Sequence, residues 1–155
     1  MRSREEIVAV LLEARVTLGQ EKTAIDADFK DRLYLAQVAA GANNSFGTPE
    51  HFDGLIELER QKLHRLLKRW VELAAGLLLR RYGALDRADG DVIFAFATRL
   101  VTVETTSARA TFSRFFTDDV LEAGLERLDA LQHDCLIGAA IEIGGAIDYT
   151  GRTSA

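Results

Sequence analysis

Two histidines and two glutamates are the side chains of this sequence best suited to ligand chemistry: Glu21, His64, Glu104 and His133. If the four helical segments described below fold antiparallel, counting residues from each turn places these four within about seven residues of one another in height, roughly 10 Å at the helical rise. Two imidazoles and two carboxylates would suit zinc, iron or manganese. A polar layer across the middle of a helical bundle is also where such proteins hold haem or small polar ligands.

The rest of the sequence lacks the usual signatures of a metal or catalytic site. None of the three histidines has a glutamate three residues before it, as a di-iron bundle requires, and one cysteine cannot form a thiolate zinc site. There is no phosphate-binding glycine loop and no nucleophile elbow. The alternative for the four residues is that both histidines face solvent and Glu21 pairs with a lysine. The sequence favours this alternative, so it assigns no metal or haem and points away from an enzyme.

Four long helices are predicted as the elements that position these side chains. Apolar residues recur at three- and four-residue spacing, and the single proline, Pro49, follows Thr48, where a helix would begin. The polar residues 19–22 allow either a continuous first helix or a break, and continuity is favoured. Residues 92–106 are rich in β-branched side chains, but a strand there would have no partner. The predicted helical segments are 3–40, 48–82, 91–116 and 117–149.

Short connections between these segments imply antiparallel neighbours, so the sequence predicts an all-α protein: an antiparallel up-down four-helix bundle with long helices. Residues 1–149 are expected to form one domain and residues 150–155 a flexible C-terminal tail. The chain is 48% hydrophobic with a net charge of −5, which is ordinary for a soluble globular protein and gives no reason to expect nucleic acid as a partner. No apolar stretch is long enough to span a membrane, and a cytoplasmic location is expected.

Charge is unevenly distributed along the chain. Residues 60–69 carry five cations and no acids, whereas residues 117–155 carry eight acidic and two basic side chains. The favoured interpretation is that these are two solvated faces that attract each other within the bundle or across a dimer. The alternative is a docking patch for an acidic partner or nucleic acid. The residues of this basic patch are Arg60, Lys62, Arg65, Lys68 and Arg69.

Small residues near the C-terminal end suggest an interface. A glycine inside a helix costs about 1 kcal/mol relative to alanine, so Gly138, Gly144 and Gly145 are expected to permit close packing of another helix, across a dimer in particular. Several apolar side chains also fall outside a single narrow stripe, which predicts a homodimer or higher oligomer. These are Phe52, Leu79, Phe94, Phe115 and Phe116.

Two functions remain open at this point. The first is a non-enzymatic protein-interaction or regulatory module that self-associates and binds another protein. It agrees with the long helices, the segregated charge and the missing catalytic signatures. The second is a metal-, haem- or small-ligand-binding bundle that uses the layer of Glu21, His64, Glu104 and His133.

Overall fold

The computed structural model describes the backbone of residues 2–154 and the side chains of residues 2–150. Within that part of the chain the protein consists of four helices without a strand, which confirms the predicted all-α class. The first helix is continuous across Gly19, and residues 92–106 are helical, as expected. The helices are α1 (Arg4–Ala42), α2 (Pro49–Tyr82), α3 (Arg87–Phe112) and α4 (Asp118–Ser154).

The first two helices begin where their capping residues predict. The amide of Glu6 donates to Ser3 Oγ at 3.2 Å, and the amide of His51 donates to Thr48 Oγ1 at 3.3 Å. Each hydroxyl thereby satisfies one of the amides that have no partner in the first turn of a helix. At its other end α2 stops at Gly83, whose φ of 81° is the left-handed conformation that glycine adopts without strain.

The boundaries of the last two helices differ from prediction. Residues 84–90 were expected to form a turn, but α3 already begins at Arg87 because Asp86 and Asp89 form a capping box. The amide of Asp89 donates to Asp86 Oδ1 at 3.0 Å, and the amide of Asp86 donates to Asp89 Oδ2 at 2.9 Å. At its end α3 stops at Phe112 rather than 116. The last helix continues to Ser154, and Ala155 lies outside the described residues. The single domain of residues 1–149 and the flexibility of residues 150–155 stay predictions.

Consecutive helices pair in opposite directions along the chain. In the first pair, Glu13 contacts Arg81 and Gln37 contacts His51, so residues early in α1 meet residues late in α2. The same order holds between α3 and α4, where Gly90 lies against Ile147 near the start of α3 and Arg109 pairs with Asp129 near its end. Helices α2 and α3 contact each other, and each also contacts α1 and α4. In the described part of the chain, α1 and α4 do not contact each other. The outer helices α1 and α4 therefore lie on different sides of the bundle.

The core is filled by aromatic and aliphatic side chains from all four helices. Trp70 is almost fully buried, and its indole N–H donates to the carbonyl of Ile93 at 3.1 Å. Phe52 is 0% exposed and packs 4.4 Å from the ring of Phe116. The same ring fills the space beside Gly124, where an added Cβ would lie 2.4 Å from it. Helices α2 and α4 therefore approach each other closely at Gly124.

The five apolar residues expected outside the core seam lie against this core instead. Phe52 and Phe116 are fully buried, and Leu79, Phe94 and Phe115 are half-buried against the core cluster. Four helices bury a wider apolar band than one narrow stripe, so the positions of these five residues do not by themselves require a partner. Among the described helices, within residues 2–154, none is long and apolar enough to cross a bilayer.

Candidate functional site

The structure places Glu104 in a buried ion cluster rather than beside histidines. Glu104 is 5% exposed, and its two carboxylate oxygens contact Lys22 Nζ at 2.9 Å and Lys62 Nζ at 3.1 Å. Burial raises the pKa of the Glu104 carboxyl, but the two ammonium groups outweigh it and the net effect lowers that pKa. Glu104 is therefore an ionised partner of two lysines.

The other three residues of the predicted layer do not join Glu104. Glu21 forms a two-pronged ion pair with Arg69, with distances of 2.8 and 2.9 Å. His64 and His133 are exposed, and His64 borders a small hollow between α2 and α4 next to Cys135. Within residues 2–154 no group of three or more histidine, cysteine, aspartate or glutamate side chains could hold a metal ion. The four side chains are thus not grouped: both histidines are exposed, as in the alternative that the sequence favoured, although Glu21 pairs with an arginine rather than with a lysine.

An ion cluster of two buried glutamates and two half-buried lysines takes the place of that layer. We use this name for Lys22 of α1, Glu59 and Lys62 of α2, and Glu104 of α3. Lys62 Nζ lies 3.2 Å from Glu59 Oε2 and bridges it to Glu104. Burial alone would lower the pKa of Lys62, yet the two carboxylates more than compensate and the pKa is raised. Burial opposes the charge of Lys22 too, but Asp26 and Glu104 outweigh it and raise the pKa of Lys22, so both lysines of the cluster are charged at neutral pH.

Glu59 is the member of the cluster whose carboxylate is not fully hydrogen-bonded. It is 6% exposed, and its Oε1 is buried without a hydrogen-bond partner. Burial raises the pKa of the Glu59 carboxyl, Lys62 lowers it, and the negative charges of Glu104 and Asp26 raise it further, with a net increase. A buried acceptor that lacks a donor carries an uncompensated desolvation cost of about 1–3 kcal/mol. The chain alone does not satisfy this side chain.

A cavity of about 350 Å³ adjoins the cluster between α1, α2 and α3. Its polar side contains the four cluster residues together with Asp26 and Ser107. Because Lys30, Val103 and Ser107 are exposed, the cavity is open to solvent. Its apolar side is formed by Phe29, Leu33, Leu55, Leu58 and Phe112. A second cavity of about 290 Å³ also borders the Lys22–Glu104 ion pair, next to Trp70 and Phe96.

The predicted basic patch is largely neutralised by acids of the first three helices. Arg69 pairs with Glu21, and Arg65 lies 3.2 Å from Asp28. Both acidic partners lie on α1, not in the acidic segment 117–155 that the charge distribution suggested. Arg60 contacts Glu57 on its own helix, Lys62 belongs to the ion cluster, and Lys68 is exposed. The patch is therefore not one continuous cationic surface.

The C-terminal half of α4 presents an exposed apolar face. Ile137 is 49% and Ile141 is 69% exposed. Gly138 and Gly145 are exposed, Gly144 is half-buried, and a Cβ added to any of the three would meet nothing within 4 Å. Packing within the described residues therefore does not require a glycine at any of these three positions. We call these five residues the α4 face.

No protein-family model matches this sequence, and comparisons with curated proteins and with solved structures found no similar chain. The argument for a function therefore depends on the ion cluster, its cavity and the α4 face. Sequence analysis missed Glu59, although a signal was present. The apolar stripe predicted for α2 has a gap of six positions between Ile56 and Leu63, and the buried Glu59 lies within that gap.

Proposed function

We propose that this protein is a non-enzymatic helical interaction module that self-associates through the α4 face. The observation that carries the proposal is the exposure of Ile137 and Ile141 beside three helical glycines whose added Cβ would meet nothing within 4 Å in the described part of the chain. Large exposed aliphatic side chains grouped on one helix face indicate an interaction surface. Helical glycines are costly, and close approach of a second helix would account for them.

The spacing of the α4 face suits an antiparallel pair of α4 helices. Ile137 and Gly145 lie equally far on either side of Ile141, and so do Gly138 and Gly144. If two copies cross at Ile141 with opposite directions, each Ile137 faces the partner's Gly145, and the remaining two glycines face each other. A large side chain opposite a glycine allows the two backbones to approach closely. Such a contact uses the same surface on both copies, as in the commonest class of symmetric dimer.

The acidic character of α4 opposes this pairing. Asp134 and Asp148 are exposed at equal distances from Ile141, so they would face each other in the antiparallel pair. Their repulsion falls with ionic strength, because exposed charges are screened over about 8 Å at physiological salt. The dimer is therefore expected to be reversible and weak at low salt. Such a reversible equilibrium is what a regulatory module needs.

Sedimentation equilibrium of the full chain tests the proposal. The wild-type protein should show a concentration-dependent dimer, and Ile141→Glu should be monomeric because it places a charge at the centre of the contact. The matched control is Val16→Glu, since Val16 is 64% exposed on α1, on a different side of the bundle. A wild-type protein that stays monomeric at about 100 μM, or equal weakening by both variants, would refute the proposal.

A further inference from the structure

The second cavity, of about 290 Å³ between α1, α2 and α3, has a basic end and an apolar floor. None of its lining residues lies on α4, so it is separate from the α4 face and does not depend on the self-association proposed above. We infer that this cavity binds a small aromatic carboxylate, with the carboxylate between the guanidinium groups of Arg15 and Arg99 and the ring against Phe96 and Leu100.

Arg15 of α1 and Arg99 of α3 lie at the same level of the bundle. Two ion pairs fix the register of these helices, and they are Arg2 with Asp89 and Lys22 with Glu104. Arg15 and Arg99 each lie about two-thirds of the way along their helix from the first pair to the second, so they start from similar heights. Both also line this cavity. The two arginines therefore flank the same end of it.

Neither arginine has an acidic partner of its own. Within residues 2–150 neither guanidinium group forms an ion pair, and both side chains are exposed. The positions three and four residues away on their own helices carry no aspartate or glutamate. Two like charges at one level repel each other, and an anion between them would remove that repulsion. Planar guanidinium groups donate paired hydrogen bonds to a carboxylate, so a carboxylate suits this position.

The charges of the whole lining also favour an anion. The lining carries three cations, Arg15, Lys22 and Arg99, and one carboxylate, that of Glu104. Lys22 is shared between Glu104 and Asp26, so it is not available to a ligand in the way that the arginines are. Glu104 lies five residues beyond Arg99, about 8 Å at the helical rise, and contacts two lysines. A carboxylate bound at the arginines is therefore held away from the only acid of the lining.

The floor and the volume define the body of the ligand. Phe96 and Leu100 are half-buried, so part of each side chain is accessible from the cavity. The ring of Phe96 stacks on Trp70 at 5.4 Å, which fixes its orientation, and an aromatic ligand gains from packing on such a ring. On the α1 side Gly19 leaves room, because an added Cβ there would meet nothing within 4 Å. About 290 Å³ is close to the lower limit for small-molecule sites, which suits one ring with a short chain.

Phenylacetate is the probe, with phenethylammonium and acetate as matched analogues. In a nitrogen–proton correlation titration of the wild-type chain, phenylacetate should give saturable shifts of amides around residues 15–22 and 96–103, with a dissociation constant of about 1 mM for ten heavy atoms. The emission of Trp70, the single tryptophan, should change with the same constant. Acetate should bind at least about tenfold more weakly because it lacks the ring, and phenethylammonium should not saturate. No saturation with phenylacetate, or equal binding of either analogue, would overturn the inference.

Three variants attribute the binding to this cavity. Arg15→Gln and Arg99→Gln should each weaken phenylacetate binding about tenfold, because each removes a charged hydrogen-bond donor. The matched control is Arg87→Gln, which removes an exposed arginine of α3 outside the cavity and should leave the affinity unchanged. Gly19→Leu keeps every charge, adds a good helix former at the α1 wall and should also weaken binding.

Two results with these variants would contradict the assigned place of the ligand. The first is equal weakening by Arg87→Gln and Arg99→Gln, which would mean that the surface charge as a whole attracts the anion. The second is an unchanged affinity in Gly19→Leu. Neither result depends on self-association, because the α4 face is unchanged in all four variants.

Discussion

Replacing Gly124 by alanine should destabilise the protein even though alanine is the better helix former. The added Cβ would lie 2.4 Å from the ring of Phe52, far inside van der Waals contact. The ring cannot move aside easily, since it is fully buried and packs against Phe112 at 5.6 Å and Phe116 at 4.4 Å. Overpacking of this kind costs about 1–3 kcal/mol or somewhat more. The gain in helix propensity offsets about 1 kcal/mol.

The expected net loss for Gly124→Ala is therefore up to about 2 kcal/mol in the free energy of unfolding, or up to roughly 8 °C in Tm. Urea unfolding followed by circular dichroism at 222 nm, at one fixed protein concentration, measures it. The matched control is Gly19→Ala, because Gly19 lies within a long helix with nothing within 4 Å of its added Cβ. That variant should gain about 0.5–1 kcal/mol. If both variants are stabilised alike, the close approach of α2 and α4 described above is wrong.

Three further predictions concern charged groups. The pKa of the Glu59 carboxyl is raised in the folded state. Its contribution to the free energy of unfolding is therefore fully present at a pH below the ordinary pKa of a glutamate, and it is lost as the pH rises through the raised pKa. Glu59→Gln should therefore stabilise the protein more at pH 7.5 than at pH 4, as measured by the urea midpoint at each pH. The reverse order would contradict the burial assigned to this carboxyl. Arg2→Ala should lower the free energy of unfolding by about 1–3 kcal/mol, because it leaves the fully buried Asp89 without its ion-pair partner. The control Arg4→Ala, at an exposed position, should change that free energy little in the same assay. Raising the salt from low to physiological concentration should strengthen self-association, as measured by sedimentation velocity. If salt weakens self-association instead, opposite charges rather than the apolar α4 face hold the dimer together.

The fold was predictable because its signals are local. Thr48 and Pro49 identify the start of α2, and apolar spacing identifies the four helices. The start of α3 was missed because Asp86 and Asp89, which are typical of a turn, also form a capping box. Only the position of the following helix distinguishes a turn from a capping box. Close approach at Gly124 was not predictable either, because it depends on which ring of another helix faces that glycine.

The candidate site was predicted at the right height but with the wrong neighbours. Counting residues from each turn fixes how far along the bundle Glu104 lies, and the structure does place it among polar side chains. The count does not fix the direction in which each side chain points, which changes by about 100° per residue. His64 and His133 therefore share the region but are exposed, while Lys22 and Lys62 reach the carboxylate. Long, flexible lysine stems can extend into a core that imidazoles at other positions cannot reach.

Cross-linking of the variant Ile141→Cys tests self-association through the α4 face most directly. The native Cys135 is a suitable background because it is buried and burial raises the pKa of its thiol to about 11, so it reacts slowly with maleimides in the folded protein. In the antiparallel pair, residue 141 lies at the crossing point, opposite the same residue of the partner. A short bismaleimide should therefore convert Ile141→Cys to a covalent dimer under native conditions, while Val16→Cys should remain monomeric. Equal cross-linking of both variants, or none with Ile141→Cys, would contradict self-association through this face.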